Sequence, residues 1–279
     1  MSIDFEVPAE AKAIRAKVRK WVQEECIPAE KELDTKPLEE VLGRLRTKAR
    51  AQGLWCPFVP KEYGGMGLGP LANALVQMEL GESSLGALSM NTQGPDDASM
   101  LTILTHGTEY QKEKFLKPLL KGDKRICFSM TEKASGADAT GMQTRADKDG
   151  NANYILNGEK WFSSSASVAD MALVMAKTDP DAPRHEQFST FIVELPNPGY
   201  RIKRATSPTW RSKVRTPTCS MAAIPRSRSR ISRCRPKTCS AAKATASTWA
   251  SIASPMAACA MACTTSPRPS ARSTWRPNA

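Results

Sequence analysis

Two short stretches combine residue types that can hold a flat polar ligand. They are "CFSMTEKASGADAT" at residues 127–140 and "NGEKWFSSSAS" at residues 157–167. The first continues as small and hydroxyl-bearing side chains, which let backbone N–H groups approach a ligand closely. Thr131 can donate to a ring carbonyl or nitrogen, Trp161 offers a wide apolar face, and Ser163 adds a hydroxyl beside it. Either stretch alone is typical of hairpin strands, but together they indicate a binding site.

Other residues that often carry chemistry lack the spacing for it. His106 and His185 are the only histidines, and neither lies in a pattern typical of a catalytic nucleophile, which argues against a hydrolase. The later cysteines have no paired Cys-x-x-Cys spacing and no histidine follows His185, so no metal site is expected. The Gly-rich "YGGMGLGP" at 63–70 lacks the Lys-Ser/Thr ending of a phosphate-binding loop, and indicates a structural loop.

The elements that must position the two stretches change type along the chain. Apolar residues recur at helical spacing in four early segments, 9–27, 38–54, 70–82 and 109–123. Strand-like runs follow at 125–132, on both sides of the Asp149-Gly150 turn signal, at 171–178 and at 187–196. Helices followed by strands predict an α+β fold, with a helical domain at 1–125 and a mostly antiparallel β domain at 126–203.

The last part of the chain has a different composition. Residues 204–279 contain 14 of the 40 Lys and Arg residues, none of the 28 Asp and Glu residues, and no Leu, Phe, Tyr or Gly. Such a segment cannot build an ordinary core, so we expect it to be disordered. We expect no nucleic-acid partner, but the Arg/Ser run "PRSRSRISRCRPKTCS" at 225–240 leaves an alternative, a non-catalytic protein whose basic tail binds nucleic acid.

The compartment is predicted from two features of the sequence, membrane-spanning runs and targeting peptides. No apolar run is long enough to cross a membrane, and the acidic N-terminus does not resemble a secretory or transit peptide. We therefore expect a cytoplasmic protein with reduced thiols and no membrane partner.

The two stretches resemble the acyl-CoA dehydrogenase family. Its pattern has a Thr-Glu-Pro loop with small residues, then Asn-Gly-x-Lys-x-Trp with hydroxyl-bearing neighbours. Here Thr131-Glu132, Gly136 and Asp138 resemble the loop, and Asn157-Gly158, Lys160 and Trp161 resemble the second motif. The resemblance extends over about residues 5–203, including "KEYGGMGLGP" and "HGTEYQKEKFLKPLLKGDKRICFSMTE". A further stretch, "NTQGPDDASM", is similar to the subgroup related to proteins fused to aminoglycoside-phosphotransferase-like kinases.

The resemblance implies FAD as cofactor and assigns roles to residues of both stretches. Thr131 would bond the pyrimidine side of the flavin, and Ser163 would lie near its N5 atom. Two residues depart from the family pattern, since Lys133 replaces a proline and Ala137 replaces a serine that contacts the acyl-CoA. The full set of residues implied to bind the cofactor is Phe128, Met130, Thr131, Gly136, Ala137, Trp161, Phe162 and Ser163, with Ala137 also facing the substrate.

The family reaction is α,β-dehydrogenation of an acyl-CoA thioester, in which a carboxylate takes the α-proton while a hydride leaves the β-carbon for the flavin. The resemblance further implies electron-transfer flavoprotein as acceptor and a homotetramer or homodimer. It places the carboxylate in a C-terminal four-helix domain. This chain has no acidic residue after Glu194, so no catalytic residue can be named and we expect an inactive fragment. An acyl-CoA oxidase or a flavin monooxygenase remains an alternative.

A shifted reading frame explains the C-terminal composition. Synonymous codons for the residues after Trp210 can encode, in the adjacent frame, "VPAENLLGGEGNGF" and "IAKAQRALDMA", which resemble the family's C-terminal domain. The shifted string regains acidic residues, leucine and glycine. We therefore expect a frameshift between about Tyr200 and Trp210, with the Arg/Ser run as its by-product.

Overall fold

The computed structural model describes residues 6–149, 153–205 and 220–224. Eight helices, some joined by a π-helical turn, precede the first strand, and the strands form one seven-stranded sheet. The helices are α1 (Ala9–Trp21), α2 (Ile27–Glu32), α3 (Leu38–Ala51), α4 (Pro70–Leu80), α5 (Gly86–Ser89), α6 (Asp96–His106), α7 (Glu109–Gln111) and α8 (Lys117–Leu120). The strands are β1 (Ile126–Ser129), β2 (Arg145–Lys148), β3 (Tyr154–Lys160), β4 (Met171–Lys177), β5 (Phe188–Glu194), β6 (Arg201–Ala205) and β7 (Ser220–Ile224).

The helices follow the predicted periodicity. π-helical turns at Val22–Cys26 and Lys112–Leu116 join α1 to α2 and α7 to α8, so each predicted segment is one continuous rod. Soon after α3 ends, Gly53 adopts φ +67°, a left-handed conformation that residues with a Cβ rarely take. Helix α6 was not predicted, because four of its six buried residues are polar and it therefore lacks an apolar stripe; the six are Asp96, Asp97, Ser99, Met100, Thr102 and Ile103.

Strand β4 is the centre of the sheet. It pairs with β1 in parallel and with β5 in antiparallel orientation, and one residue pair joins it to β2 in parallel. Beyond it, the β2–β3, β3–β7 and β7–β6 pairs are antiparallel, so the prediction of a mostly antiparallel β domain is confirmed. Six of the seven residues of β4 are buried, as expected for a strand covered on both faces.

The two faces of β4 belong to different cores. Met171 and Leu173 pack with the helices, in a cluster that also contains Trp21, Leu45 and Phe115. Ala172, Val174 and Ala176 instead join a second cluster on the opposite face, with Phe191 and Tyr200. Because successive side chains of a strand point to opposite faces, one strand fastens the helices to the rest of the sheet.

The expectation of disorder from residue 204 onward does not hold for every residue. Residues 204–205 end β6, and residues 220–224 form β7, whose backbone pairs with both β3 and β6. Backbone hydrogen bonds to a sheet edge do not depend on side-chain type. A segment of unusual composition can therefore still add a strand, and its composition does not predict this. The remaining residues of that segment, 206–219 and 225–279 with the Arg/Ser run, lie outside the described residues.

Candidate functional site

One backbone hydrogen bond brings the two predicted stretches together. The amide of Trp161, just after β3, donates to the carbonyl of Thr131, just after β1, at 2.8 Å. Strands β1 and β3 are not paired with each other in the sheet, so this contact between loops sets the geometry of the site. The sequence prediction that both stretches form one site is therefore supported by their position.

The aromatic pair at this junction presents Phe162 rather than Trp161. Phe162 has φ 55° and its side chain is 59% exposed, although it is a large apolar residue. Trp161 is half-buried and packs edge-to-face against it, with ring centroids 5.8 Å apart. The buried indole Nε1 of Trp161 has no hydrogen-bond partner. An exposed aromatic ring on strained backbone is a feature that a bound ring system would explain.

The structure changes the role expected for Ser163. Its side chain is fully buried, and its Oγ lies 2.9 Å from Oγ of Ser129. Ser129 in turn contacts the hydroxyl of Tyr200 at 3.1 Å, so these three hydroxyls form a chain beneath the surface. The neighbouring Ser164 is exposed instead. A surface ligand would therefore meet the hydroxyl of Ser164, and the expectation that Ser163 faces it disagrees with this geometry.

The same shift applies to the aromatic position of the motif. Counted from Asn157, the spacing Asn-Gly-x-Lys-x-Trp places its aromatic residue at Phe162, not at Trp161. The exposure of the two side chains agrees with this count. Directly after β3, Phe162 and Ser164 are exposed, and Trp161 and Ser163 lie beneath them.

A buried ion pair lies directly under the first loop. The ammonium of Lys160 is fully buried and donates to a carboxylate oxygen of Glu132 at 2.8 Å and to the carbonyl of Met130 at 2.9 Å. Glu132 also accepts the backbone amides of Gln143 at 2.5 Å and of Thr144 at 2.9 Å. Three separate chain segments therefore meet at one carboxylate, a network that sequence reasoning missed.

Electrostatics support a charged state for this carboxylate. Burial raises the pKa of Glu132, but the hydrogen bonds from Lys160, Thr144 and Gln143 outweigh it and hold the pKa below its usual value. Burial lowers the pKa of Lys160, and Glu132 opposes that shift. With three donated hydrogen bonds, from Lys160 and the amides of Gln143 and Thr144, the carboxylate is engaged by the protein's own groups, so Glu132 is not available as a proton acceptor for a ligand.

The other predicted residues line the same loop at different depths. Phe128 and Met130 are half-buried and pack against the small cluster of Met142, Met175 and Phe188. Gly136 and Ala137 are exposed at the loop tip, where the Asp138 side chain accepts from the amide of Thr140. The loop thus offers an open backbone surface above a packed base.

Gly158 explains why the second stretch begins with Asn-Gly. A Cβ at this position would lie 2.3 Å from Oγ1 of Thr144 and 2.7 Å from its Cα. Strand β3 therefore approaches the start of β2 more closely than a residue with a side chain allows, and Lys160 consequently reaches Glu132.

The structure leaves other chemistries without support. Cys26, Cys56 and Cys127 are buried free thiols, and burial raises the pKa of each to about 11, so they are poor nucleophiles. Within residues 6–149, 153–205 and 220–224, no cluster of three or more potential metal ligands occurs. None of the helices in those ranges is long and apolar enough to span a bilayer.

Comparison with known families gives two adjoining matches. Residues 8–123 match the acyl-CoA dehydrogenase N-terminal domain, and residues 127–219 match the acyl-CoA dehydrogenase middle domain. The border between these matches falls where the helices give way to β1.

Individual proteins give the same result. The chain is 38% identical to acyl-CoA dehydrogenase family member 11 of Gallus gallus, over 68% of this chain and 26% of that protein. It is 34% identical to the probable acyl-CoA dehydrogenase FadE2 of Mycobacterium tuberculosis, over 73% of this chain and 52% of that protein. The chain thus spans about a quarter to a half of these relatives.

Solved structures share the fold. A protein from Mycobacterium abscessus assigned as an acyl-CoA dehydrogenase matches with a TM-score of 0.79 at 26% identity, covering 93% of this chain and 67% of that one. PigA, solved with FAD and proline, matches with a TM-score of 0.73 at 23% identity, covering 94% of this chain and 66% of that one.

Proposed function

Because the chain belongs to the acyl-CoA dehydrogenase family, we propose that it carries the FAD-facing part of an enzyme that dehydrogenates acyl-CoA thioesters between the α and β carbons. The observation that carries this proposal is the junction of the two loops at Thr131 and Trp161, beside the exposed ring of Phe162. The open loop at Gly136 and the exposed Phe162 ring fit a flat, hydrogen-bonding cofactor.

Different residues at the junction would hold different parts of FAD. When bound, FAD would supply the hydride acceptor. Thr131 and the backbone of Met130 would hydrogen-bond to FAD, next to the half-buried Phe128. Phe162 would supply an apolar contact for the flavin ring, and Ser164 a hydroxyl.

The chain as written does not supply the proton acceptor of this reaction. Its last acidic residue is Glu194. In the candidate site Glu132 is committed to Lys160 and two backbone amides. We therefore propose that this chain binds FAD without turning over substrate, and that the carboxylate belongs to sequence that the 279 residues do not contain.

A frameshift accounts for that missing sequence. The abrupt loss of acidic residues, leucine and glycine after residue 203 supports it, as does the resemblance of the adjacent frame to the family's C-terminal domain. The middle-domain match extends to residue 219, beyond the interval from Tyr200 to Trp210 in which we propose the break.

We further propose an acyl-CoA substrate, electron-transfer flavoprotein as electron acceptor, a homo-oligomeric state, membership of the kinase-linked subgroup and a cytoplasmic location. The likeness to an electron transferring flavoprotein of Acidaminococcus fermentans concerns the fold, at a TM-score of 0.66 and 24% identity, over 93% of this chain and 66% of that one.

The decisive experiment compares the chain as written with a chain restored to the shifted frame. Both are loaded with FAD and mixed anaerobically with acyl-CoA substrates of several chain lengths. We expect the flavin absorbance to bleach only in the restored chain. Absence of bleaching in both chains would contradict the reaction, and resequencing of the codons from 195 to 280 would show a single gained or lost base if the frame proposal holds.

A further inference from the structure

The ion pair of Lys160 and Glu132 occupies a position that suggests more than a stabilising contact. Lys160 is the last residue of β3 and directly precedes Trp161. Glu132 directly follows Thr131 in the loop after β1. Each partner is thus adjacent in sequence to one of the two residues that form the hydrogen bond between the loops at 2.8 Å.

The pair also fixes the loop from both of its ends. Lys160 holds the carbonyl of Met130, the residue before Thr131, at 2.9 Å. Glu132 and Ser135 exchange two backbone hydrogen bonds of 3.1 Å, which closes the loop into a tight turn. The amides of Gln143 and Thr144, where the chain enters β2, bind the Glu132 carboxylate. Thr131 is therefore held on each side by groups that meet at this pair.

Burial makes the arrangement unusually dependent on both partners. The Lys160 side chain is 0% exposed and that of Glu132 is 6% exposed. Removing one partner leaves the other as an uncompensated buried charge, whereas removing both leaves none. A role in stability alone would predict that the double replacement recovers what a single replacement loses.

We propose that Lys160 and Glu132 are positioning residues, which set the place of the Met130–Thr131 backbone and so the fit of the flavin edge. This inference rests on the proposed FAD site. The pair does not touch the reacting atoms and acts through Thr131. It differs from the exposed pair of Lys203 and Glu159, at 2.7 Å on the same part of the sheet, which holds no loop in place.

Hydrogen exchange of the full 279-residue chain without FAD tests the positioning directly. The variants are Lys160→Met, Glu132→Gln and the double Glu132→Gln/Lys160→Met, with Lys203→Met as the control for an exposed pair. We expect both single variants and the double variant to raise exchange in residues 128–144 by about tenfold or more, because charge-assisted hydrogen bonds are lost. Exchange in β4 and β5 should be unchanged in the double variant, and K203M should match the parent throughout.

FAD titration supplies the second readout. K160M should lower the midpoint of unfolding, and the double variant should reverse most of that decrease. The double variant should nevertheless bind FAD about tenfold more weakly than the parent. Restored loop protection in the double variant, or parental FAD affinity with a loosened loop, would overturn the proposal. If K160M does not fold, E132Q and the double variant decide it. A parent that binds no FAD would refute the proposed function, while the exchange data would still decide the role of the pair in fixing the loop.

Discussion

The helical region and the loops at the ends of β1 and β3 are built on opposite rules. In the helices, buried positions are mostly apolar, and side chains such as Leu45 and Phe115 are almost fully enclosed. Around the loops, buried positions hold a lysine, a glutamate and serines, while the large ring of Phe162 lies at the surface. Apolar burial drives folding, whereas buried polar networks fix geometry at a cost in desolvation. The apolar core of the helices thus stabilises the fold, and this stability offsets the desolvation cost of the polar groups buried around the loops.

The largest expected effect is in the helical core. Leu45→Ala removes a fully buried side chain and should lower the free energy of unfolding by about 2–5 kcal/mol. Leu71→Ala is the matched control, because Leu71 is 50% exposed on α4, and it should change stability by about 0.5 kcal/mol or less. Urea unfolding followed by circular dichroism measures both. Equal losses in the two variants would remove the proposed contrast in burial.

A buried carboxylate makes the helical region sensitive to pH. Burial raises the pKa of Asp97 from 3.8 to about 7, with the Ala98 amide opposing and the Asp96 charge adding to the shift. The folded state therefore binds more protons than the unfolded state between about pH 4 and 7, so stability falls as pH rises through that range.

Asp97→Asn should abolish this dependence. At pH 8 the variant should be more stable than the parent by on the order of 1–3 kcal/mol, and near pH 4 the two should be alike. Chemical denaturation at a series of pH values measures this, with Asp147→Asn on exposed β2 as the control. A constant difference between D97N and the parent across the series would show that Asp97 is ionised in the folded protein.

Phe162 tests the loop side of the contrast. Phe162→Ala should leave the free energy of unfolding within about 0.5 kcal/mol of the parent, because the ring is 59% exposed. It should weaken FAD binding about tenfold, because a stacking surface is lost. Tyr110→Ala, which truncates an aromatic ring 44% exposed in α7, should change neither quantity. Unchanged FAD affinity in F162A would remove the ring from the site.

The smallest effects separate the two neighbouring serines. Ser163→Ala should cost about 1 kcal/mol of stability, since Ser129 loses a buried hydrogen bond, and should leave FAD affinity nearly unchanged. Ser164→Ala should do the reverse, with parental stability and FAD binding weakened a few-fold. Thermal unfolding and FAD titration of both variants measure this. The opposite pattern would return the ligand-facing role to Ser163.

Particular residues show how far the sequence could lead. The four-residue spacing of Ile14, Val18, Val22 and Cys26 predicted the first helix, because a helix at the protein surface has one apolar face toward the core. Helix α6 was not predicted because most of its buried residues are polar. The two stretches were identified from residue types and spacing, and the structure brings them into contact through the Trp161 amide and the Thr131 carbonyl.

The orientation of the site could not be predicted in the same way. Strand alternation places Trp161 and Ser163 on one face and Phe162 on the other but does not say which face is buried, and only the motif spacing counted from Asn157 points to Phe162. The backbone is left-handed at Phe162 and again at Ser165, which changes the direction of the chain. Which side chains become buried there depends on contacts with Ser129 and Thr131, which are far away in sequence. The pairing of Lys160 with Glu132 is likewise a product of tertiary structure.

The most direct test is the titration of FAD into the full chain, followed by calorimetry and flavin absorbance. We predict saturable binding of one FAD per chain, weakened about tenfold in F162A and unaltered in Y110A. Absence of saturable binding, or equal affinity in the parent and F162A, would contradict the claim that the loops at Thr131 and Phe162 form a flavin site.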